Sequence, residues 1–176
     1  MSPYITKRLR EKVTIQKMIL LVKRSLIVTV ISFLVFFLLN RLFPLPNEID
    51  YSTTITDDKG ELINAFLTND DKWRMKTELY EISPLLSKTI LQKEDKYFYY
   101  HPGINIAAIA RAAFNNLIRS KRTSGASTIT MQVARALERR DRTFISKLAE
   151  TFRAFQLEWT YTKPEILQLY LNLVPY

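Results

Sequence analysis

Residues 83–118, SPLLSKTILQKEDKYFYYHPGINIAAIARAAFNNLI, decide the fold, because the hydrophobic period of the chain becomes helical here. Ser83-Pro84 offers an N-cap followed by proline at the first helical position, where a missing N–H costs nothing. Glu94-Asp95 closes that helix and leads into an aromatic stretch, a histidine and a turn at Pro102-Gly103. Ile106, Ile109, Ala110, Ala113, Phe114 and Leu117 then recur at helical spacing as one apolar stripe. Further on, Leu148, Phe152, Phe155 and Trp159 form a second stripe at i, i+4, i+7 and i+11. Thr162-Lys163-Pro164-Glu165 is a capping box opening a last helix with Ile166, Leu169 and Tyr170 inward. The spacing predicts a helical lobe from Ser83 onward, without internal repeats or low-complexity segments.

Working back from Ser83, the period is shorter. Thr53-Thr54-Ile55-Thr56 and Glu61–Leu67 flank Asp57-Asp58-Lys59-Gly60 and read as a hairpin. A polar turn at Asn69-Asp70-Asp71 leads to Trp73-Arg74-Met75, a candidate third strand. Before the hairpin, Pro44 and Pro46 end a very apolar run. Ser25 to Leu39 carries no charge and covers about 22 Å as a helix; extended to Phe43, with Asn40 and Arg41 reaching the headgroups, it covers about 28 Å and spans a bilayer. Seven basic residues and one acid precede it, which predicts a cytoplasmic N-terminus. A cleaved signal peptide would need a small-x-small site, and NRLFPLPNEID offers none. A buried soluble helix would need a polar face, which VISFLVFFLL lacks. The expected organisation is a basic cytoplasmic tail (1–24), a transmembrane signal anchor (19–43), an extracytoplasmic linker with a hairpin (44–82) and the lobe (83–176).

Composition narrows the chemistry. The 176 residues include 26 Lys+Arg, 17 Asp+Glu, one His, no Cys and 3 Gly, with 47% hydrophobic residues. No disulfide framework, thiol nucleophile, Cys-ligated metal site, two-histidine metal motif or glycine-rich dinucleotide loop can be built from these residues. The chain is not disordered in character. Its chemistry must rest on carboxylates, hydroxyls, amides and cations.

Three clusters supply those groups. In Glu94–Gly103, two acids precede an aromatic run; they are either a solvated helix end or carboxylates desolvated by aromatic surface toward general-base range. In Ser124–Gln132, small and hydroxyl residues enter a helix, either as an ordinary N-cap or as an anion site. Between Arg111 and Arg153 there are ten basic residues against three acids, an excess suited to anionic headgroups or a pyrophosphate. The same charge would suit nucleic acid, but the membrane anchor argues against that partner. Lys147 and Glu150 lie i, i+3 on one helical face, as a functional pair or a surface ion pair of small value.

In this order the clusters resemble the glycosyltransferase family 51 domain, the peptidoglycan polymerase module of class A penicillin-binding proteins. Glu94-Asp95-x-x-Phe98-x-x-His101-x-Gly103 is similar to its first motif, and Gly125–Gln132 to its second. Lys147-x-x-Glu150 resembles the third, and Leu167-x-x-Tyr170-Leu171-Asn172 the fourth. Trp73-Arg74, Met131–Arg135 and Gln156-Leu157-Glu158-Trp159 are most similar to the penicillin-binding protein 1C branch. The resemblance implies a lysozyme-like helical fold with a membrane-facing subdomain around the second motif. It also implies an inverting polymerisation of lipid II that releases a lipid pyrophosphate. Glu94 would be the base and Glu150 the second catalytic carboxylate near the donor. Asp95, Phe98, His101, Thr128, Gln132, Arg135 and Lys147 would support or bind substrate, with Phe98 and His101 shaping the site. No organic cofactor is implied, and a divalent cation such as Mg2+ is compatible with the residues. Implied partners are lipid II, the growing glycan strand, the cytoplasmic membrane and other cell wall synthesis proteins. A lipid II-binding scaffold or a muramidase are the rival functions.

Several positions depart from the family pattern. Ala126 stands for a glycine, Met131 for a glutamine, Asn105 for an aspartate and Arg135 for a lysine. Ser146 replaces a common arginine, so one cation is lost or is supplied by Arg142 or Arg153. The chain breaks off within the fourth motif, from which we expect this lobe alone to be inactive and poorly folded, with its two apolar stripes incompletely covered.

Overall fold

The N-terminal unit, Met1–Pro44, is built on one helix, α1 (Pro3–Leu42). The computed structural model describes residues 3–46, 49–119, 126–138, 141 and 143–174, with side chains from Gln16 on except Ala113 and residues 116–119. Tail and apolar run are therefore one continuous helix. Within it, Gln16–Leu42 is long and apolar enough to cross a membrane. Its hydroxyls do not break that character, because Thr29 and Ser32 donate to the carbonyls of Ser25 and Val28 one turn back (2.9 and 2.8 Å).

The second unit, Leu45–Tyr176, opens with the hairpin. Strands β1 (Thr54–Thr56) and β2 (Leu62–Ala65) pair antiparallel, Thr54 opposite Ala65 and Thr56 opposite Leu62, with a bulge between Ile55 and Thr56. The turn is made locally: Asp57 Oδ1 accepts the N–H groups of Lys59 and Glu61, and Gly60 takes the positive φ of 82°. The expected third strand does not form. Arg74 N–H donates to the Ser52 hydroxyl, so a side chain stands where a ladder would need a carbonyl. The Arg74 guanidinium instead grips both oxygens of Asp70 (2.8 and 2.7 Å).

Helices α2 (Pro84–Glu94), α3 (Ile106–Arg119), α4 (Ile129–Leu137), α5 (Phe144–Thr160) and α6 (Lys163–Leu173) complete the lobe. Ser83 and Pro84 sit at the N-cap and first turn of α2, although the serine hydroxyl makes no capping bond. The Thr162–Glu165 capping box forms with both bonds. The core lies where α4 packs on α5 and α6. Ile129, Val133 and Ala134 of α4 meet Leu157 of α5 and Ile166, Leu167 and Tyr170 of α6, all buried. Each such aliphatic side chain contributes about 1.5–3 kcal/mol by leaving water. Beside this core, Asn172 of α6 holds Thr77 by both backbone groups, accepting its N–H (2.8 Å) and donating to its carbonyl (2.9 Å).

Two apolar faces point elsewhere. On α3, Ile106, Ile109 and Phe114 are exposed, and the buried residue is Ala112 on the other side; Ala113 and Leu117 of that stripe lie outside the described side chains. On α5, Leu148, Phe155 and Trp159 are exposed and Phe152 is half-buried, while Ser146, Ala154, Gln156 and Leu157 face inward. Among the described side chains, most of both stripes faces solvent.

Candidate active site

The turn after α2 is organised by a buried carboxylate. Asp95 caps α2 with its N–H on the Leu91 carbonyl, and Phe98 N–H returns to the Asp95 carbonyl (3.0 Å). Phe98 is thereby turned into the core, 1% exposed. The Asp95 carboxylate accepts the Ile129 N–H (3.1 Å) at the start of α4, where the helix dipole favours an anion. His101 Nε2 lies 3.0 Å from both its oxygens. Among the described residues His101 Nδ1 is buried without a partner, and Nε2 is the ring nitrogen that meets the carboxylate. His101 is thus a packed, hydrogen-bonded support.

Thr128 takes the ordinary-cap alternative. Its Oγ1 accepts the Met131 N–H (3.2 Å) and donates to the Gly103 carbonyl (2.6 Å). With Asp95 on Ile129, the N-terminus of α4 is met by protein groups. Ser124 and Gly125 of the second motif lie outside the described residues.

Glu94, one residue before Asp95, is solvent-exposed. The aromatic run does not desolvate it, because Phe98 turns inward while Tyr97, Tyr99 and Tyr100 are themselves exposed. Its Oε2 accepts from Gln132 Nε2 at 3.2 Å. It lies on a cleft of about 510 Å³ that is also lined by Asp95, Asn105, Arg111, Ser127 and Thr128. An exposed carboxylate on such a cleft can take a proton from a bound hydroxyl.

The third cluster is tighter than a surface ion pair. Arg135 Nε and Nη2 reach Glu150 Oε1 and Oε2 at 2.6 and 2.9 Å. Lys147 Nζ donates to Glu150 Oε2 and to Ser127 Oγ, both at 2.9 Å. The Glu150 side chain is 12% exposed, but both cations are about two-fifths exposed (42% and 41%) and so remain open to an anion. Burial pushes the Glu150 carboxyl up, yet the hydrogen bonds from Arg135 and Lys147 outweigh it and hold the group below its ordinary range; Glu150 in turn raises the Arg135 guanidinium. A lowered carboxylate stabilises the fold above its unfolded value and loses that contribution as pH falls through the folded one. We therefore expect stability to drop on acidification below about pH 4.5, with a shallower drop in Glu150→Gln. Urea unfolding of both proteins across that range checks this, and parallel pH profiles would refute it. Solvent screening keeps the effect small.

One helix relates these groups. On α4, Ile129, Thr130, Met131, Val133 and Ala134 are buried, which leaves Gln132 and Arg135, i and i+3, facing out. The first reaches Glu94 and the second Glu150. Other sequence expectations resolve differently. Ser146 is buried at the start of α5, its N–H on the Thr143 hydroxyl (3.1 Å). Arg153 is less open than Arg135: its side chain is 11% exposed and engaged by Glu138 (2.9 Å) and by the buried Gln156 (2.8 Å). Arg142 lies outside the described residues. Asn105 accepts the Ala108 N–H (2.9 Å) at the start of α3. Ser127 as the lysine's partner and Arg111 on the cleft were not singled out by the sequence, and only their motif neighbourhood pointed to them. Among the described residues no group of three or more acidic or histidine side chains is placed to hold a metal ion.

Residues 59–176 match the family described as transglycosylase. Over 138 residues the chain is 38% identical to penicillin-binding protein 1C of Escherichia coli (strain K12), covering 78% of this chain and 18% of that protein. It is 36% identical over 119 residues to penicillin-binding protein 4 of Bacillus subtilis (strain 168), covering 67% and 19%. It is 40% identical over 116 residues to penicillin-binding protein 1A of E. coli, covering 65% and 13%. The chain thus spans less than a fifth of the length of each of these relatives.

Proposed function

The chain belongs to the transglycosylase family, and on that premise we propose that it polymerises lipid II into peptidoglycan glycan strands for the cell wall. The sugar 4-hydroxyl of an acceptor attacks the anomeric carbon of a lipid-linked donor. The new C–O bond forms on the face opposite the leaving lipid pyrophosphate, so the configuration inverts and no covalent enzyme intermediate arises. Glu94 takes the hydroxyl proton as the bond forms. Two cations and one carboxylate leave the Arg135–Lys147–Glu150 cluster with a net positive charge that meets the departing pyrophosphate. Gln132 orients the base, while Asp95 and Thr128 hold the turn and the start of α4 that position it.

One observation carries this reading: α4 presents Gln132 to Glu94 and Arg135 to Glu150 on a single face, so base and cation cluster are positioned by one rigid element. The apolar α1 anchors the protein in the cytoplasmic membrane, N-terminus inside and lobe outside, where lipid-linked substrate is found. Other cell wall synthesis proteins are the expected partners.

Product analysis tests the reaction. Labelled lipid II incubated in detergent with the purified protein at its full encoded length should give long glycan polymer with release of lipid pyrophosphate; the lobe alone is expected to give none. Short sugars cut by water would identify a hydrolase, and binding without turnover a scaffold. The cations provide a second check. Lys147→Ala should lower kcat/KM by about 10²-fold, the scale of one lost donor to a developing anion. Arg119→Ala, at the end of α3, should change it by less than about threefold. Equal, salt-sensitive losses in both would mean general attraction to anionic membrane instead.

A further inference from the structure

Lys163, the first residue of α6, is buried for a lysine: its side chain is 18% exposed and that of Glu158 12%. Its ammonium donates to Glu158 Oε1 and to the His101 carbonyl, both at 2.7 Å, and lies 4.3 Å from the Phe98 ring centroid. Glu158 Oε1 also accepts the Thr130 hydroxyl at 2.6 Å. Glu158 Cγ lies 3.0 Å from where a β-carbon on Gly103 would stand. Neither residue lines the cleft. One ion pair, from the end of α5 and the start of α6, thus grips the turn after Glu94 at Phe98, His101 and Gly103. It grips α4 at Thr130, midway between Thr128 and Gln132.

We infer that Lys163 and Glu158 are positioning residues for glycosyl transfer, fixing the separation between the turn that follows Glu94 and the helix that carries Gln132. This rests on the transferase reading above. A shift of about 1 Å in a reacting group, caused far from the chemistry, costs about 10²-fold in rate. Lys163→Met keeps the apolar stem over Phe98 but leaves the Glu158 carboxylate without its cation and the His101 carbonyl without its donor. Because neither side chain reaches the cleft, the loss falls on kcat and not on KM.

The experiment measures kcat and KM for lipid II polymerisation in detergent by the purified protein at its full encoded length. It compares the parent with Lys163→Met, Lys163→Arg and Lys163→Met/Glu158→Gln, at a temperature where circular dichroism shows each one folded. Lys163→Met should lower kcat by about 10- to 100-fold with KM within about threefold, and Lys163→Arg should recover most of the loss. The double variant should be no worse than Lys163→Met, because the two residues act as a unit. A raised KM at unchanged kcat, additive losses, or a loss that only follows the folded fraction would overturn the proposal. Polymer from the parent with unchanged kcat in Lys163→Met overturns it alone. No polymer from the parent removes the transferase reading and the proposal with it.

Discussion

Glu94→Gln is expected to reduce lipid II polymerisation by about 10²–10⁴-fold, the range for loss of a general base, with the fold unchanged. The amide keeps the size of the side chain, and its oxygen can still accept from Gln132, as Glu94 Oε2 does now at 3.2 Å. It cannot take a proton from the attacking hydroxyl. Because Glu94 is solvent-exposed at the end of α2, its charge supports no core contact, so the melting temperature should stay at the parental value. Gel analysis of labelled polymer gives the rate. Near-parental synthesis would remove Glu94 from the role of base, and a fall in melting temperature matching the loss of rate would reassign it to structure.

Gly103→Ala should produce the largest loss of stability. Gly103 has φ of 82°, a conformation that costs other residues about 1–2 kcal/mol. Its new β-carbon would lie 3.0 Å from Glu158 Cγ and 3.1 Å from the carbonyl oxygen of Ala154, a residue with no exposed surface. Backbone cannot swing aside as a side-chain end can, so overpacking adds about 1–3 kcal/mol. The total, about 2–5 kcal/mol, is a large part of the ~5–15 kcal/mol that holds a typical domain. Gly60→Ala separates the two effects: it shares the φ of 82° but meets nothing within 4 Å, and should show the strain alone. Equal destabilisation of the two variants in urea would mean that packing against α5 plays no part.

What the sequence made legible was local. The Asp57–Gly60 turn and the Thr162–Glu165 box form as expected because their donors and acceptors lie within four residues. The helix end at Glu94-Asp95 was legible for the same reason. Amphipathic period, by contrast, shows that a helix has an apolar face and not which face finds a partner. On α3 the small residue Ala112 packs inward while Ile106 and Phe114 face out. In the site, Glu94, Lys147 and Glu150 could be found from motif order. The bonds that set their surroundings could not, because Asp95 to Ile129 spans 34 positions and Lys163 to His101 spans 62. No local signature announces such contacts. Of the two readings of Glu94 the solvated one holds, for a related reason: neighbours in sequence on a tight turn point in different directions, and Phe98 takes the buried one.

The bond between Thr77 and Asn172 also has a consequence in time. Its partners are 95 positions apart, and α6, which carries Asn172, supplies one wall of the core. At synthesis rates of about 5–20 residues per second, Thr77 is made about 5–20 s before the residue that holds it. At the end of that interval, after α5 is made and before α6 is, α4 has its α5 neighbour and lacks the α6 one, leaving Ile129 and Val133 short of cover. Contacts this distant in sequence are slow to find even in a finished chain. The nascent lobe therefore passes through a window of apolar exposure that ends only when α6 arrives, and its yield in a cell depends on what shelters it until then.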